Sequence, residues 1–340
     1  MTDRAPLLEA RNLTKHFPVR RGFLAKPLGV VRAVDGVSFS IGVGKTLGVV
    51  GESGCGKTTT AKLVLRLEEP TGGALLFDGQ DISGLEGREV MQYRKAVQAV
   101  FQDPFASLNP RMRVDAIISE PLITHERLDA AEVDKRVARL IDLVGLPERS
   151  AKLFPHEFSG GQRQRIAIAR SLAVSPRLVV LDEPVSALDV SIRAGVINLL
   201  ERLKAELNLS YLFVAHDLAV VRHIADRVAV MYLGRIVEMG GVNEVFERPT
   251  HPYTQALLSA VPIPDPRKER SRKRILLQGD LPSPLDPPTG CRFRPRCPRF
   301  AHELADEERP LCQRDVALEQ RAGTPGHLDA CHYSRPAVVL

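Results

Sequence analysis

The chain has 340 residues, 44% of them hydrophobic, with a net charge of +6 and an isoelectric point near 9.2. That length exceeds one typical domain, so two units are expected, one of them large. No run approaches 18 uncharged apolar residues, and the start Met1-Thr2-Asp3-Arg4-Ala5-Pro6 lacks the basic-then-apolar pattern of a signal peptide, which excludes a spanning helix and predicts a soluble or peripheral protein.

Residues 6 to about 110 read as strands around one glycine-rich loop, with residues 20–27 as a loop inserted between two early strands. The apolar run Leu47-Gly48-Val49-Val50 reads as a strand. It leads without a gap into Gly51-Glu52-Ser53-Gly54-Cys55-Gly56-Lys57-Thr58, the phosphate-binding pattern G-x-x-x-x-G-K-[ST]. Its glycines let backbone N–H groups turn inward around the β and γ phosphates, Lys57 adds a compact positive charge, and the Thr58 hydroxyl can ligate Mg²⁺. Thr59 opens a helix whose positive end faces those phosphates. The pattern therefore predicts a nucleoside triphosphate. Cys55, between two glycines and without partner ligands, reads as structural rather than metal-binding. Phe77-Asp78-Gly79-Gln80 marks a hairpin turn.

The period then changes. Val133, Val137, Leu140, Ile141 and Val144 fall at helical spacing, so residues about 111 to 173 are expected to form a mostly helical subdomain. Near its end, Phe158-Ser159-Gly160-Gly161-Gln162-Arg163-Gln164-Arg165 opens a helical run over residues 162–173. Ser159 and the N–H groups of Gly160 and Gly161 would form an anion-binding helix N-terminus. Leu178-Val179-Val180-Leu181 describes a buried parallel strand that delivers Asp182 and Glu183 at its carboxyl end, where α/β sheets place their ligands. Asp182 suits Mg²⁺, through water, and Glu183 suits polarising the water that attacks the γ phosphate. Parallel sheet resumes at Leu209-Ser210-Tyr211-Leu212-Phe213-Val214, and Tyr232-Leu233-Gly234-Arg235-Ile236-Val237-Glu238 reads as a closing hairpin.

The block from Phe158 to Arg165 resembles the signature sequence of ATP-binding cassette (ABC) ATPases, with Phe158 where that family usually has Leu. The family's other motifs follow the expected order: Gln102 in Val100-Phe101-Gln102-Asp103-Pro104, Ser186-Ala187-Leu188-Asp189 after the acids, and His216 in Val214-Ala215-His216-Asp217. The resemblance implies an α/β P-loop NTPase fold with a central mostly parallel sheet, an antiparallel β subdomain and a helical subdomain. It implies ATP and Mg²⁺, with Gln102 as a metal ligand in the segment that feels a membrane partner. By the same resemblance His216 contacts the γ phosphate and orients Glu183, and Phe17 stacks on adenine. Ser159, Gly160, Gly161 and Gln162 are implied to hold the γ phosphate of an opposite subunit, with Ser186 and Asp189 coupling the two sites. One phosphate loop and one signature imply pairing with a second cassette, expected to be a related but different chain in a heterodimer.

After His251-Pro252-Tyr253-Thr254-Gln255-Ala256-Leu257-Leu258, a short helix, the composition shifts to a linker through Pro262-Ile263-Pro264-Asp265-Pro266 and a basic run over residues 267–274. A cassette over residues 1–260 and an irregular extension over 261–340 are expected. Four of the five cysteines, Cys291, Cys297, Cys312 and Cys331, lie in 41 residues of that extension. In a reducing compartment such a set asks for a metal rather than disulfides. The extension, with its His-Pro-Tyr-Thr block, is similar to that of oligopeptide and dipeptide ABC importer ATPases, which implies a [4Fe–4S] cluster, structural Zn²⁺ being the rival. Arg292, Arg294, Arg296 and Arg299 would offset its negative charge, while His302, His327 and His332 read as surface histidines.

The leading reading is the energy-coupling ATPase of a peptide-type importer. It would lie peripherally on the cytoplasmic face of the inner membrane, with two permeases and an extracytoplasmic peptide-binding protein, and nucleic acid is not expected as a partner. A nucleic-acid- or ribosome-associated ABC ATPase is the alternative, motivated by the net charge and the Arg-rich tail. A single cassette without a heptad run speaks against it.

Overall fold

The computed structural model describes residues 5–20, 27–103, 107–262, 265–271, 274–321 and 324–339. Of the inserted loop expected at residues 20–27, residues 21–26 lie outside them, as does Pro104 of the Gln102 motif, while Arg20 and Pro27 are strand ends. Eleven strands are present among the described residues: β1 Leu8–Arg20, β2 Pro27–Ile41, β3 Thr46–Val50, β4 Gly72–Phe77, β5 Gln80–Asp81, β6 Val97–Val100, β7 Leu178–Asp182, β8 Ser210–Val214, β9 Arg227–Tyr232, β10 Arg235–Gly241 and β11 Leu328–Asp329. They form a seven-stranded sheet in the order β11-β10-β9-β3-β8-β7-β6 and a four-stranded antiparallel sheet in the order β2-β1-β4-β5. In the larger sheet β6, β7, β8, β3 and β9 run parallel, while β10 and β11 add antiparallel edges.

The central strands are parallel because they can be covered on both faces. Every residue of β3, β7 and β8 is buried. Val179, Leu181, Tyr211 and Phe213 point into a core shared with Ile117, Ile118, Leu140 and Ile166 of the helical subdomain. Leu178, Val180, Leu212 and Val214 point into a second core with the antiparallel sheet and Ala61, Leu63 and Val64 of helix α1, Lys57–Val64. The period-2 alternation that looked uniformly apolar in sequence thus feeds two different cores.

The helical subdomain is as expected: helices Val114–His125, Ala130–Leu143 and Gly160–Leu172, joined by short 3₁₀ turns. The signature helix starts two residues earlier than read from sequence, because Ser159 caps it. Helix α2, Gly87–Ala96, lies in the stretch expected to be strands. Its only buried residue is Tyr93, so its apolar period is nearly silent, and Glu89 at its start with Arg94 and Lys95 at its end supply the dipole-matching signal instead. The basic run expected as linker likewise contains a short helix, Pro266–Ser271.

The tail is bound into the cassette rather than appended to it. β11 pairs with β10, and the fully buried carboxylate of Glu238 gathers the junction. It accepts from Thr250 N–H (2.7 Å), Thr250 Oγ1 (3.1 Å) and His251 N–H (3.0 Å), and His327 Nε2 lies 2.7 Å away. His327 is therefore 2% exposed, not the surface histidine expected, because a buried carboxylate needs donors from the chain that covers it. Burial pushes the pKa of neighbouring His251 down to about 4, so it stays neutral and its Nδ1 accepts from Tyr253 N–H. Phe293 of the tail packs on Tyr253 and Tyr232 with ring centroids 5.3 Å from each.

Replacing Glu238 by Ala leaves Thr250 N–H, Thr250 Oγ1, His251 N–H and His327 Nε2 without their carboxylate partner, which costs about 3–5 kcal/mol. The expected outcome is a thermal midpoint lower by about 10 °C, with early proteolysis in the tail. An unchanged midpoint in a thermal scan would show that Glu238 does not hold the junction.

Candidate nucleotide site

Strand order assembles the site. β3, β8 and β7 are neighbours and parallel, so their carboxyl ends share one edge of the sheet. β3 runs into the glycine-rich loop, β7 ends on Asp182 with Glu183 next, and His216 follows β8 by two residues. The loop needs glycine where backbone crowds it: Gly56 has φ +110°, and a Cβ there would strike the Ala33 carbonyl.

Lys57 is 5% exposed and folds back over the loop, donating to the carbonyls of Gly51 (2.8 Å) and Glu52 (3.0 Å). Cys55 is buried, its Sγ 3.9 Å from Lys57 Nζ. Thr58 Oγ1 donates to Asp182 Oδ1 at 3.3 Å, which ties the start of α1 to the end of β7. Burial raises the Asp182 pKa, opposed by the Thr58 hydrogen bond and helped by the charge of Glu183. A hydroxyl and a carboxylate side by side are hard oxygen donors that suit Mg²⁺.

Glu183 adopts φ +50°, a left-handed conformation uncommon for a non-glycine residue and characteristic of functional sites. Its N–H donates to Val214 O at 2.9 Å, its carbonyl accepts from Ser186 Oγ at 3.0 Å, and its carboxylate lies 3.1 Å from His216 Nδ1. The acid and the histidine, 33 residues apart, thus meet at an open rim.

The remaining sequence candidates lie around this centre. Gln102 is exposed just past β6, on the same edge of the sheet. Phe17 sits in β1 opposite Val31, half-buried, with the Lys15 ammonium 4.9 Å from its ring centroid. Ser159 and Gln162 form a reciprocal cap, Ser159 N–H donating to Gln162 Oε1 at 3.0 Å and Gln162 N–H to Ser159 Oγ at 3.4 Å. Gly160 packs near Leu188, and a side chain at Gly161 would strike Ile192. The signature therefore abuts the segment carrying Asp189, which is exposed beside Val190 at 79% exposure. Among the described residues no hydrogen bond joins the signature to the phosphate loop of the same chain.

Two partners of the loop were missed in the sequence. Tyr253 OH accepts from Glu52 N–H at 3.0 Å, and Arg296 clasps the Glu52 carboxylate at 2.9 and 3.3 Å. Arg296 was expected to balance charge at the cysteines, as was Arg292, which instead pairs with Asp35 and the Leu233 carbonyl. Both pair with acids of the cassette, Asp35 and Glu52. The four cysteines do line one small pocket, with Phe293, Phe300, Leu304 and His332. Burial raises all four thiols, Cys291 to about 11 and Cys331 to about 12. Among the described residues no group of three or more side chains is arranged to hold a metal ion.

Residues 34–186 match the ABC transporter family, and residues 237–303 match the oligopeptide/dipeptide transporter C-terminal region. The oligopeptide transport ATP-binding protein AppF of Bacillus subtilis is 52% identical over 327 residues, 96% of this chain and 97% of that protein. The dipeptide transport ATP-binding protein DppF of Haemophilus influenzae is 50% identical, covering 97% and 98% of the two chains. Among solved structures, a dimeric ATP-binding cassette in a post-hydrolysis state bound to ADP and Pi superposes with a TM-score of 0.61 at 28% identity, covering 69% of this chain and 98% of that one. Its sheet order, its motif-bearing edge and this half-identity along almost the full length together establish that the chain belongs to the ABC transporter family, among the oligopeptide and dipeptide transport ATP-binding proteins.

Proposed function

We propose that the chain is the ATP-hydrolysing, energy-coupling subunit of a peptide importer. The observation that carries this reading is the convergence of Lys57, Thr58, Asp182, Glu183 and His216 on one sheet edge. The nucleic-acid alternative has no support among the relatives, whose names are those of transport proteins. ATP would lie along residues 51–59, with Lys57 exchanging its two carbonyl partners for the β and γ phosphates. Thr58 and Asp182, with Gln102 reaching in from past β6, would hold Mg²⁺, which supplies charge neutralisation on the phosphates when bound. Glu183 accepts the proton of the attacking water, and His216 fixes the direction of its carboxylate. Phe17 is proposed to carry the adenine.

The signature residues Ser159 and Gln162, exposed, Gly160, half-buried, and Gly161, buried, stand at a helix start and serve the nucleotide of a second cassette, with Asp189 and Ser186 at the seam. We assign that partner to a related, different chain, and the remaining partners to two permeases and an external peptide-binding protein. Among the described residues no helix is long and apolar enough to cross a membrane, which supports a peripheral place at the cytoplasmic face beneath the permeases. The cassette is assigned to residues 1–260 and the extension to 261–340. For Cys291, Cys297, Cys312 and Cys331 the proposal remains a [4Fe–4S] cluster, with Zn²⁺ as rival; their common pocket supports it, and no step of hydrolysis passes through it.

Three outcomes test these assignments. Glu183→Gln is expected to bind ATP normally and to lose about 10²- to 10⁴-fold in turnover; near-parental hydrolysis would remove Glu183 from the role. The folded chain raises the Asp182 pKa, so stability falls as pH rises from the unfolded value through the folded one, and above the folded value the cost of the ionised carboxylate is fully present. Asp182→Asn should therefore raise the thermal midpoint of the nucleotide-free chain by about 2–4 °C and shrink the extra stabilisation that MgATP confers; a lower midpoint would contradict that sign. Oxygen-free purification should yield brown protein with iron and sulfide, both lost in Cys297→Ser; stoichiometric zinc, or no metal, would overturn the cluster.

A further inference from the structure

The peptide unit of Glu52, the second residue of the phosphate loop, is held at three points. Its carbonyl accepts from Lys57, its N–H donates to the Tyr253 hydroxyl, and its carboxylate is gripped by both terminal nitrogens of Arg296. The carbonyl also accepts from Cys55 N–H within the loop at 3.3 Å, and Lys57 must release its own hold to meet a phosphate. The other two come from the C-terminal third of the chain, 201 and 244 residues away in sequence. Both are stiffly mounted. Tyr253 is fully buried, and its ring packs 4.7 Å from Tyr232 and 5.3 Å from Phe293. Arg296 ends the short turn Arg294–Arg296 that begins beside Phe293, and its side chain is about one-tenth exposed, against three-tenths for Glu52.

We infer that Arg296 is a positioning residue for nucleotide binding: through Glu52 it holds the phosphate loop in its cradle shape and keeps the Glu52 charge turned away from the triphosphate. The reasoning is electrostatic and entropic. A carboxylate at the second loop position sits beside the site where three to four negative charges of a triphosphate must dock, so a free Glu52 opposes binding. A planar guanidinium gripping both carboxylate oxygens neutralises it and fixes its direction, in a geometry that a point charge cannot match. A loop held in its bound shape also loses less freedom when the phosphates arrive. The extension thereby sets nucleotide affinity. Arg296 directly precedes Cys297, so the packing of the thiol pocket has a path of one residue to the loop.

This inference rests on residues 51–58 being the ATP site, and the experiment separates the two. Full-length chain is titrated with MgATP by calorimetry, alongside steady-state hydrolysis. Arg296→Ala is expected to raise the MgATP Kd about tenfold, within the range of coupling between contacting residues. The loss should fall in KM more than in kcat. Arg296→Lys, which keeps the charge and most of the stem while losing the fork, should lie between parent and Ala and serves if the Ala variant folds poorly. On a Glu52→Gln background, Arg296→Ala should add no further weakening. Parental Kd in both Arg296 variants overturns the proposal, as does an equal loss with and without the Glu52 carboxylate. If Lys57→Ala binds MgATP as tightly as the parent, it is the phosphate-loop reading that fails.

Discussion

Everything chemical in this molecule depends on the side-by-side, parallel alignment of β3, β8 and β7. Parallel strands end together, and their carboxyl ends present three loops within reach of one ligand. Antiparallel pairing of any one of them would carry its functional residue to the opposite edge. Hydrophobic burial drives the alignment: strands buried on both faces offer alternate side chains to two separate cores, so each is mostly apolar, with Thr46, Asp182 and Ser210 their buried polar residues. The same sequence property that makes these strands unremarkable to read is what makes their ends converge.

At that edge the site satisfies its polar groups internally. Lys57 neutralises two loop carbonyls, the Thr58 hydroxyl rests on Asp182, and the Glu183 carboxylate faces His216. Each of these contacts uses a group that phosphate, metal or water would engage instead, so binding exchanges partners rather than creating them from bare charges. Asp182 is the exception in degree, since burial works against its ionised form and a single hydroxyl only partly compensates. A cation is the natural completion of that pair, whereas the glutamate–histidine pair at the open rim is already oriented.

Legibility in the sequence followed the range of the interactions. The loop, the acids and the signature were readable because each is a local pattern in which backbone geometry and chemistry coincide over a few residues, as in the glycine spacing before Lys57. Helix α2 was missed because a helix that buries only Tyr93 leaves no apolar period. The Glu183–His216 contact was available only by resemblance, since nothing in either segment says that β7 and β8 are neighbours. His327 and Arg296 were misjudged for a common reason. Their partners, Glu238 and Glu52, lie 89 and 244 residues upstream, and a charged residue read alone gives no indication that a distant acid is its partner.

These two misjudged contacts also determine what the extension is. A free appendage would join the cassette through a few solvated contacts and move independently of it. Here the junction carries a fully buried carboxylate, a strand pairing, an aromatic cluster and a two-point guanidinium clasp, all on the side of the sheet where β3 delivers the loop. Buried polar contacts of this kind are costly to half-form, so the junction is either intact or lost as a unit. The extension and the phosphate loop therefore share one cooperative structure. A change in the tail that leaves the Glu238 anchor whole can reach the loop through Phe293, Tyr253 and Arg296, and through Arg292, whose partner Leu233 precedes the Gly234 N–H that donates to the Cys55 carbonyl at 2.8 Å.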